Sequence, residues 1–416
     1  MKIISRPVLA LFAIIFILTF GCTKSSSPSF ISSSTPTNEQ IKNNSFVKFV
    51  NELKNLPVEK RLTELQHFIN DNPNSPIIED HGLACFYWYG KANYVLINGD
   101  VQYGWAIPDT MNFVSCGDSN LFYKIYSLPA DARIDYQLIV DDSIITDPRN
   151  PIITPSGFGE HSQCAMPMFK SKTVLQYRTN INYGTVDSLL FQSGKTSMLP
   201  RMLKIYKPAG YDSLAELPAI FINDGFKAID YCFYIHVVDN LIADKKIKPV
   251  IVVFINFVEG DQDYFLNQTD EYFTAICNEL VPLIDSNYKT SKQAKDRLLT
   301  GISAGAHISL LTALKKFDVF LNAAGQSPTT TEELFDAVNS IDKQTKKELK
   351  LYFDVGRFDL RQGGINNHSF LYSNQLLSKE MKKAGINHHF KVFNDGHEWA
   401  NWRESVDEIL IYFWGN

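Results

Sequence analysis

Arg297–Leu314 reads RLLTGISAGAHISLLTAL: an apolar strand that breaks at Gly301-Ile302-Ser303-Ala304-Gly305 and resumes as a helix. This is the pattern of a nucleophile elbow. The backbone there bends so sharply that only small residues fit two before and two after the serine, which leaves the hydroxyl on an exposed strand-to-helix corner. Gly301 and Gly305 fill those two places. The helix that follows points its unpaired N–H groups and positive dipole end back at Ser303, which suits a developing oxyanion.

If Ser303 is a nucleophile, its partners belong on loops at the carboxyl ends of other strands, where open α/β sheets carry their functional groups. His397, in Phe393-Asn394-Asp395-Gly396-His397-Glu398-Trp399, lies just past the last expected strand and is the best placed of nine histidines. An imidazole in reach of a serine hydroxyl accepts its proton and later returns it to the leaving group. His307 falls one helical turn beyond Ser303 and reads as a packing residue, while His388 and His389 lie at or within a strand. His397-Glu398 is no zinc motif, because Asn401 stands where His-Glu-x-x-His needs its second histidine. No metal or cofactor is expected. The orienting acid is read as Asp359, past the strand that ends near Gly356, with Asp354 as the alternative. The order Ser, Asp, His is that of α/β-hydrolases. Backbone N–H groups of Ala304 and of Phe226, in the loop Asp224-Gly225-Phe226, are the expected oxyanion donors.

Buried runs at 217–222, 249–255, 297–299, 320–324, 349–355 and 389–393 alternate with helical stretches. That alternation implies a mostly parallel sheet with helices on both faces, spanning 201–416. Upstream, 171–200 reads as a linker with the first strands. Within 79–170, short aromatic and β-branched runs such as Leu83–Tyr89, Leu121–Tyr126 and Ile134–Val140 argue for a small antiparallel β-sandwich, with Asn98-Gly99 as a hairpin turn. Trp88 and Trp105 read as core before stacking platforms. Apolar residues at helical spacing, broken at Leu56-Pro57, predict short helices in 41–78.

The N-terminus places Lys2 and Arg6 ahead of an apolar run, Val8 to Phe20, too short to span a bilayer. With Cys22 after Gly21 and a polar run behind it, 1–21 resembles a bacterial lipoprotein signal. That resemblance implies a lipid on Cys22, a Ser/Thr/Pro-rich tether over 22–40, and a place in the cell envelope, anchored to the membrane without spanning it. The net charge of -5, with scattered Lys and Arg, argues against a nucleic-acid partner. Of the five remaining cysteines, Cys85 and Cys116 are the candidate disulfide.

From about Asn44 onward the chain resembles the enterochelin-esterase-like proteins, in the superfamily that also holds feruloyl and acetyl xylan esterases. The stretches that carry this are Ile205-Tyr206-Lys207-Pro208-Ala209-Gly210-Tyr211, Asp224-Gly225, Glu279-Leu280-Val281-Pro282, the elbow, and Gly396-His397-Glu398-Trp399 with Trp402-Arg403. In the sandwich they are Leu128–Tyr136 and Asp147-Pro148-Arg149-Asn150-Pro151. The resemblance implies an immunoglobulin-like domain beside an α/β-hydrolase, with Ser303 and His397 as its serine and histidine and Asp359 as its aspartate. It departs at Ala306, where the family usually has glycine. The implied activity is serine-dependent hydrolysis of a carboxylic ester through an acyl-enzyme, on acyl-substituted polysaccharide or another exported ester. Rivals are a siderophore trilactone esterase and a non-catalytic glycan-binding lipoprotein.

Overall fold

In the computed structural model, which describes residues 36–79 and 82–416, the first helix begins directly after Thr37. Thr37 accepts from the Gln40 N–H while the Gln40 side chain accepts from the Thr37 N–H, a capping box that starts Asn38–Asn43. The expected tether to residue 40 is therefore too long at its C-terminal end; Thr37-x-x-Gln40 was the signal for the helix. The signal segment, Cys22 and the rest of the tether lie outside the described residues. The described residues belong to one compact unit. No helix among the described residues is long and apolar enough to cross a membrane.

Two further helices, Ser45–Asn55 and Val58–Asp71, part at Leu56-Pro57 as expected. Their apolar faces, led by Phe46, Phe49, Leu53 and Leu65, pack on Cys85, Tyr87 and Leu121 of the sheet that follows. That sheet has the order β1 (Ile77–Glu79), β2 (Leu83–Gly90), β6 (Asn120–Ser127), β5 (Asn112–Ser115). A second runs β4 (Asp109–Thr110), β3 (Val95–Gly99), β7 (Arg133–Val140), β10 (Gly159–Ala165), β9 (Ile153–Ser156), with β8 (Ser143–Ile145) paired to β7. Both are antiparallel, and Phe86, Phe122, Ile97, Ile134 and Tyr136 fill the core between them. The period-two alternation sends Phe86 into that core and Cys85 and Tyr87 out to the helices.

Two local expectations fail here. Asn98-Gly99 is not a hairpin turn: Gly99 still pairs with Tyr136, and the chain takes residues 100–108 to reach β4. Nor do Cys85 and Cys116 form a disulfide; all five described cysteines are free and buried. Cys116 follows β5, and β6 separates β5 from β2. Strands two apart lie about 9–10 Å from one another, beyond the roughly 4.4–6.8 Å that a disulfide spans between Cα atoms. Trp88 is partly buried against the inter-sheet core, and the Trp105 Nε1–H donates to Asp100 Oδ1 at 2.9 Å.

The second half is an eight-stranded sheet in the order β11 (Thr185–Phe191), β12 (Arg201–Lys207), β14 (Ile251–Ile255), β13 (Ala219–Ile222), β15 (Arg297–Ile302), β16 (Asn322–Gln326), β17 (Lys350–Gly356), β18 (His388–Phe393). The first three pair antiparallel and every later pairing is parallel, the topology of an α/β hydrolase. Alternate residues supply the two cores: Phe221, Val253, Leu299 and Phe353 on one face, Ile220, Val252, Leu298 and Tyr352 on the other. Helices cover both faces, so the central strands are buried on both sides.

Candidate active site

Ser303 sits where β15 turns into the helix Ser303–Lys315, with φ +50 in the left-handed region. A non-glycine residue there stores strain that surrounding packing must hold. The packing is visible: a Cβ on Gly301 would come within 2.7 Å of the Gly305 carbonyl carbon, and one on Gly305 within 3.1 Å of Asn223 Cβ. Gly301 admits no side chain, and one at Gly305 would have to push Asn223 aside by a few tenths of an ångström. Asn223 locks the neighbouring loop, accepting from the Tyr272 hydroxyl at 2.9 Å and donating to Ser309 Oγ at 3.2 Å. The Ser303 carbonyl accepts from the Thr329 N–H at 3.1 Å.

His397 follows β18 and Asp359 follows β17, so adjacent parallel strands deliver both to the same edge. Their side chains meet, His397 Nδ1 lying 2.7 Å from Asp359 Oδ2, with both residues buried. A carboxylate can only accept, so Nδ1 carries the hydrogen and Nε2 keeps its lone pair. The ring is wedged between Phe370 and Trp402, at 4.5 and 4.9 Å between ring centroids. Burial pushes the imidazole down to about 4, against the pull of Asp359 and aided by Arg361. Asp354 makes no such pair. It accepts from the Ser405 hydroxyl at 2.9 Å, and burial raises its carboxyl to about 7. His307 lies within the elbow helix and is fully buried, as expected of a packing residue.

Ser303 and His397 line one cavity of about 590 Å³. Its walls are aromatic, from Phe158, Phe257, Phe265 and Phe370, with Lys227 and Arg361 as cations. Ala304 lines it too, whereas Phe226 is not among the lining residues although Asp224 and Lys227 on either side are. Phe226 is the second residue of the helix Gly225–Cys232, a position whose N–H has no carbonyl one turn back to bind. Residues 198–413, more than half of the chain, match the Esterase family model, described as “Putative esterase”.

The chain belongs to this esterase family. Two relatives extend the match. YjcH of Bacillus subtilis (strain 168) is 26% identical over 234 residues, covering 55% of this esterase and 96% of that protein. An endo-1,4-beta-xylanase/feruloyl esterase of Xylanibacter ruminicola is 28% identical over 203 residues, which is 44% of this chain but 27% of the relative. Among solved structures, ferric enterobactin esterase from Salmonella typhimurium superposes with a TM-score of 0.67 at 15% identity, covering 84% of this chain and 98% of that one. That likeness is one of fold, and it spans the sandwich as well as the hydrolase sheet.

Sequence reading missed how the esterase braces its histidine loop. Arg133 on β7 binds Asp395 through Nε at 2.8 Å and Asp135 through Nη1 at 2.9 Å, all three buried. Phe358, beside Asp359, inserts into the core of the sandwich. Three carboxyls, Asp100, Asp135 and Asp395, gather around Arg133, with Glu398 close to Asp100 and Asp135, and burial raises Asp395 to about 7 and Asp100 and Glu398 well above their usual range. Among the described residues Asp135, His161 and Glu398 are the group able to hold a cation, their ligand atoms lying within 4.8 Å of one another. Arg133 lies in the stretch Leu128–Tyr136 that carried the resemblance, but nothing in the sequence pointed to its partner 262 residues away.

Proposed function

We propose that this esterase is a serine hydrolase working through an acyl-enzyme. Ser303 attacks the ester carbonyl, His397 Nε2 takes the hydroxyl proton and returns it to the leaving alcohol, and Asp359 holds the ring and stabilises the imidazolium. The N–H groups of Ala304 and Phe226 meet the oxyanion, each such donor contributing about 3 kcal/mol. Water then releases the acid, and no metal or cofactor takes part. The observation that carries this is the 2.7 Å Asp359–His397 contact, at the wall of the cavity that also holds the strained Ser303.

For the substrate, the aromatic walls and the Xylanibacter ruminicola relative, named for feruloyl esterase activity, favour an acyl-substituted polysaccharide. A siderophore ester is the second reading, favoured by the fold shared with ferric enterobactin esterase across both halves of the chain. In this proposal the sandwich is immunoglobulin-like, and a lipid on Cys22 holds the enzyme in the cell envelope. A fluorophosphonate probe should label Ser303, and a panel of feruloyl, acetyl and ferric catecholate esters should show preference for the feruloyl or acetyl saccharides. An unlabelled Ser303 would refute the mechanism; hydrolysis confined to catecholate trilactones would refute the substrate.

The depressed imidazole also fixes a pH dependence. The base must be neutral, so activity is present above the folded-state value and lost as pH falls through it. The acid limb of kcat/KM should therefore lie near pH 4, below the roughly 6.5 of an unperturbed histidine. A limb at 6.5 or higher would show that His397 is not buried as described, or is not the base.

A further inference from the structure

Strands β9 and β10 form a hairpin in which Ser156 pairs with Gly159, leaving Gly157-Phe158 as a two-residue tip. The tip belongs to the sandwich, yet it is fastened to the loop that carries His397. The Ser156 hydroxyl donates to Glu398 Oε2 at 3.2 Å and itself accepts from the Phe158 N–H at 3.0 Å. A Cβ on Gly157 would come within 2.8 Å of Trp399 Nε1, so the backbone lies directly on the indole. Phe158 is 60% exposed, but its ring is part of the wall of the catalytic cavity. A single exposed apolar side chain needs no explanation by itself, but Phe158 shares the wall of this cavity with Phe257, Phe265 and Phe370, so it is part of an apolar lining rather than an isolated surface residue.

Its side of the cavity follows from the chemistry. His397 must hand its proton to the departing alcohol, so that half of the ester lies beside the imidazole. Phe158 is tied to Glu398 and Trp399, the two residues after His397. We propose that Phe158 is a specificity residue for the leaving alcohol, stacking on a sugar ring, so that the sandwich selects esters of saccharides over esters of small alcohols. This deepens the esterase reading and rests on it.

The test presents one acid on two alcohols, as methyl ferulate and as a feruloylated arabinoxylo-oligosaccharide, to the wild-type chain, Phe158→Ala and Phe158→Tyr. Phe158→Ala should raise KM for the saccharide ester about tenfold, the scale of one aromatic contact. Its kcat should hold. The KM for methyl ferulate, which offers no sugar ring to stack on, should shift much less, so that the preference for the saccharide ester falls, and Phe158→Tyr should restore the saccharide KM. Proportional loss on both esters would overturn the proposal, because it would mean the hairpin only props the His397 loop. Unchanged constants on both would overturn it too, while leaving the esterase reading intact. A wild-type chain that cleaves neither ester and leaves Ser303 unlabelled by a fluorophosphonate would remove both readings together.

Discussion

Ser303→Ala is expected to lower kcat for ester hydrolysis about 10⁴–10⁶-fold while moving KM little, the signature of a lost nucleophile in an otherwise intact site. Alanine keeps the Cβ, so the elbow should fold as before and thermal denaturation should be near that of the wild type. Glycine is the more telling companion. At φ +50 an L side chain is strained, and the structure tolerates it only because Gly301, Gly305 and Asn223 pack the turn from every side. Ser303→Gly should thus be as inactive as the alanine variant yet more stable, by about 1 kcal/mol. Parallel stability gain and activity loss would mean that the strain is held for function. A variant that keeps activity within tenfold of wild type would place the nucleophile elsewhere.

What could be read from the chain alone divides along contact range. The elbow is local: small residues two before and two after a serine, between an apolar strand and a helix, specify their own geometry, and the sterics at Gly301 and Gly305 are those expected. Five of the hydrolase strands, β13 to β17, were legible for the same reason, since runs such as Ile251–Ile255 are buried on both faces and need no alternation to be seen, and the half-buried edge strand β18 was legible from its position as the last apolar run. The pairing of β11 with β12 was harder, because an edge hairpin half-exposed to water leaves a mixed pattern over Thr185–Phe191. What no local pattern could show was the brace between the halves. Arg133 meets Asp395 across 262 positions and Ser156 meets Glu398 across 242, and each is an ordinary polar residue in its own segment. Phe158 shares that fate: between two glycines it reads as a turn, and only the hairpin's seat on Trp399 turns it towards the cavity. Asp359 and Asp354 were both candidates for one role because a strand end offers either; the side chains diverge only once β18 sets His397 next to the loop beyond Gly356.

That divergence makes the second large effect specific. Asp359→Asn should lower kcat about 10⁴-fold, because an amide nitrogen facing Nδ1 favours the tautomer that puts the hydrogen on Nε2, where it cannot accept the serine proton. The loss should be nearly all in kcat, since Asp359 is buried behind the ring and is not among the cavity-lining residues. Its second oxygen, Oδ1, is buried with no protein partner among the described residues, so the stabilisation of this carboxylate leans on the histidine, as a counter-ion for a forming imidazolium requires. The loop is also prevented from adjusting: Phe358 is fixed in the sandwich core, the Leu371 N–H donates to the Asp359 carbonyl at 3.0 Å, and the Asp359 N–H donates to Gly356 at 3.2 Å. Asp354→Asn is the control. Its carboxyl is already raised to about 7 by burial, so the neutral form is well populated near neutrality, and an isosteric amide should keep the contact with Ser405. Activity within about threefold of wild type is expected there, below the roughly 1 kcal/mol of one neutral hydrogen bond. If Asp354→Asn instead proved the crippling change and Asp359→Asn the mild one, the acid would have to reach His397 from within β17, and the loop beyond Gly356 would need a different conformation during turnover.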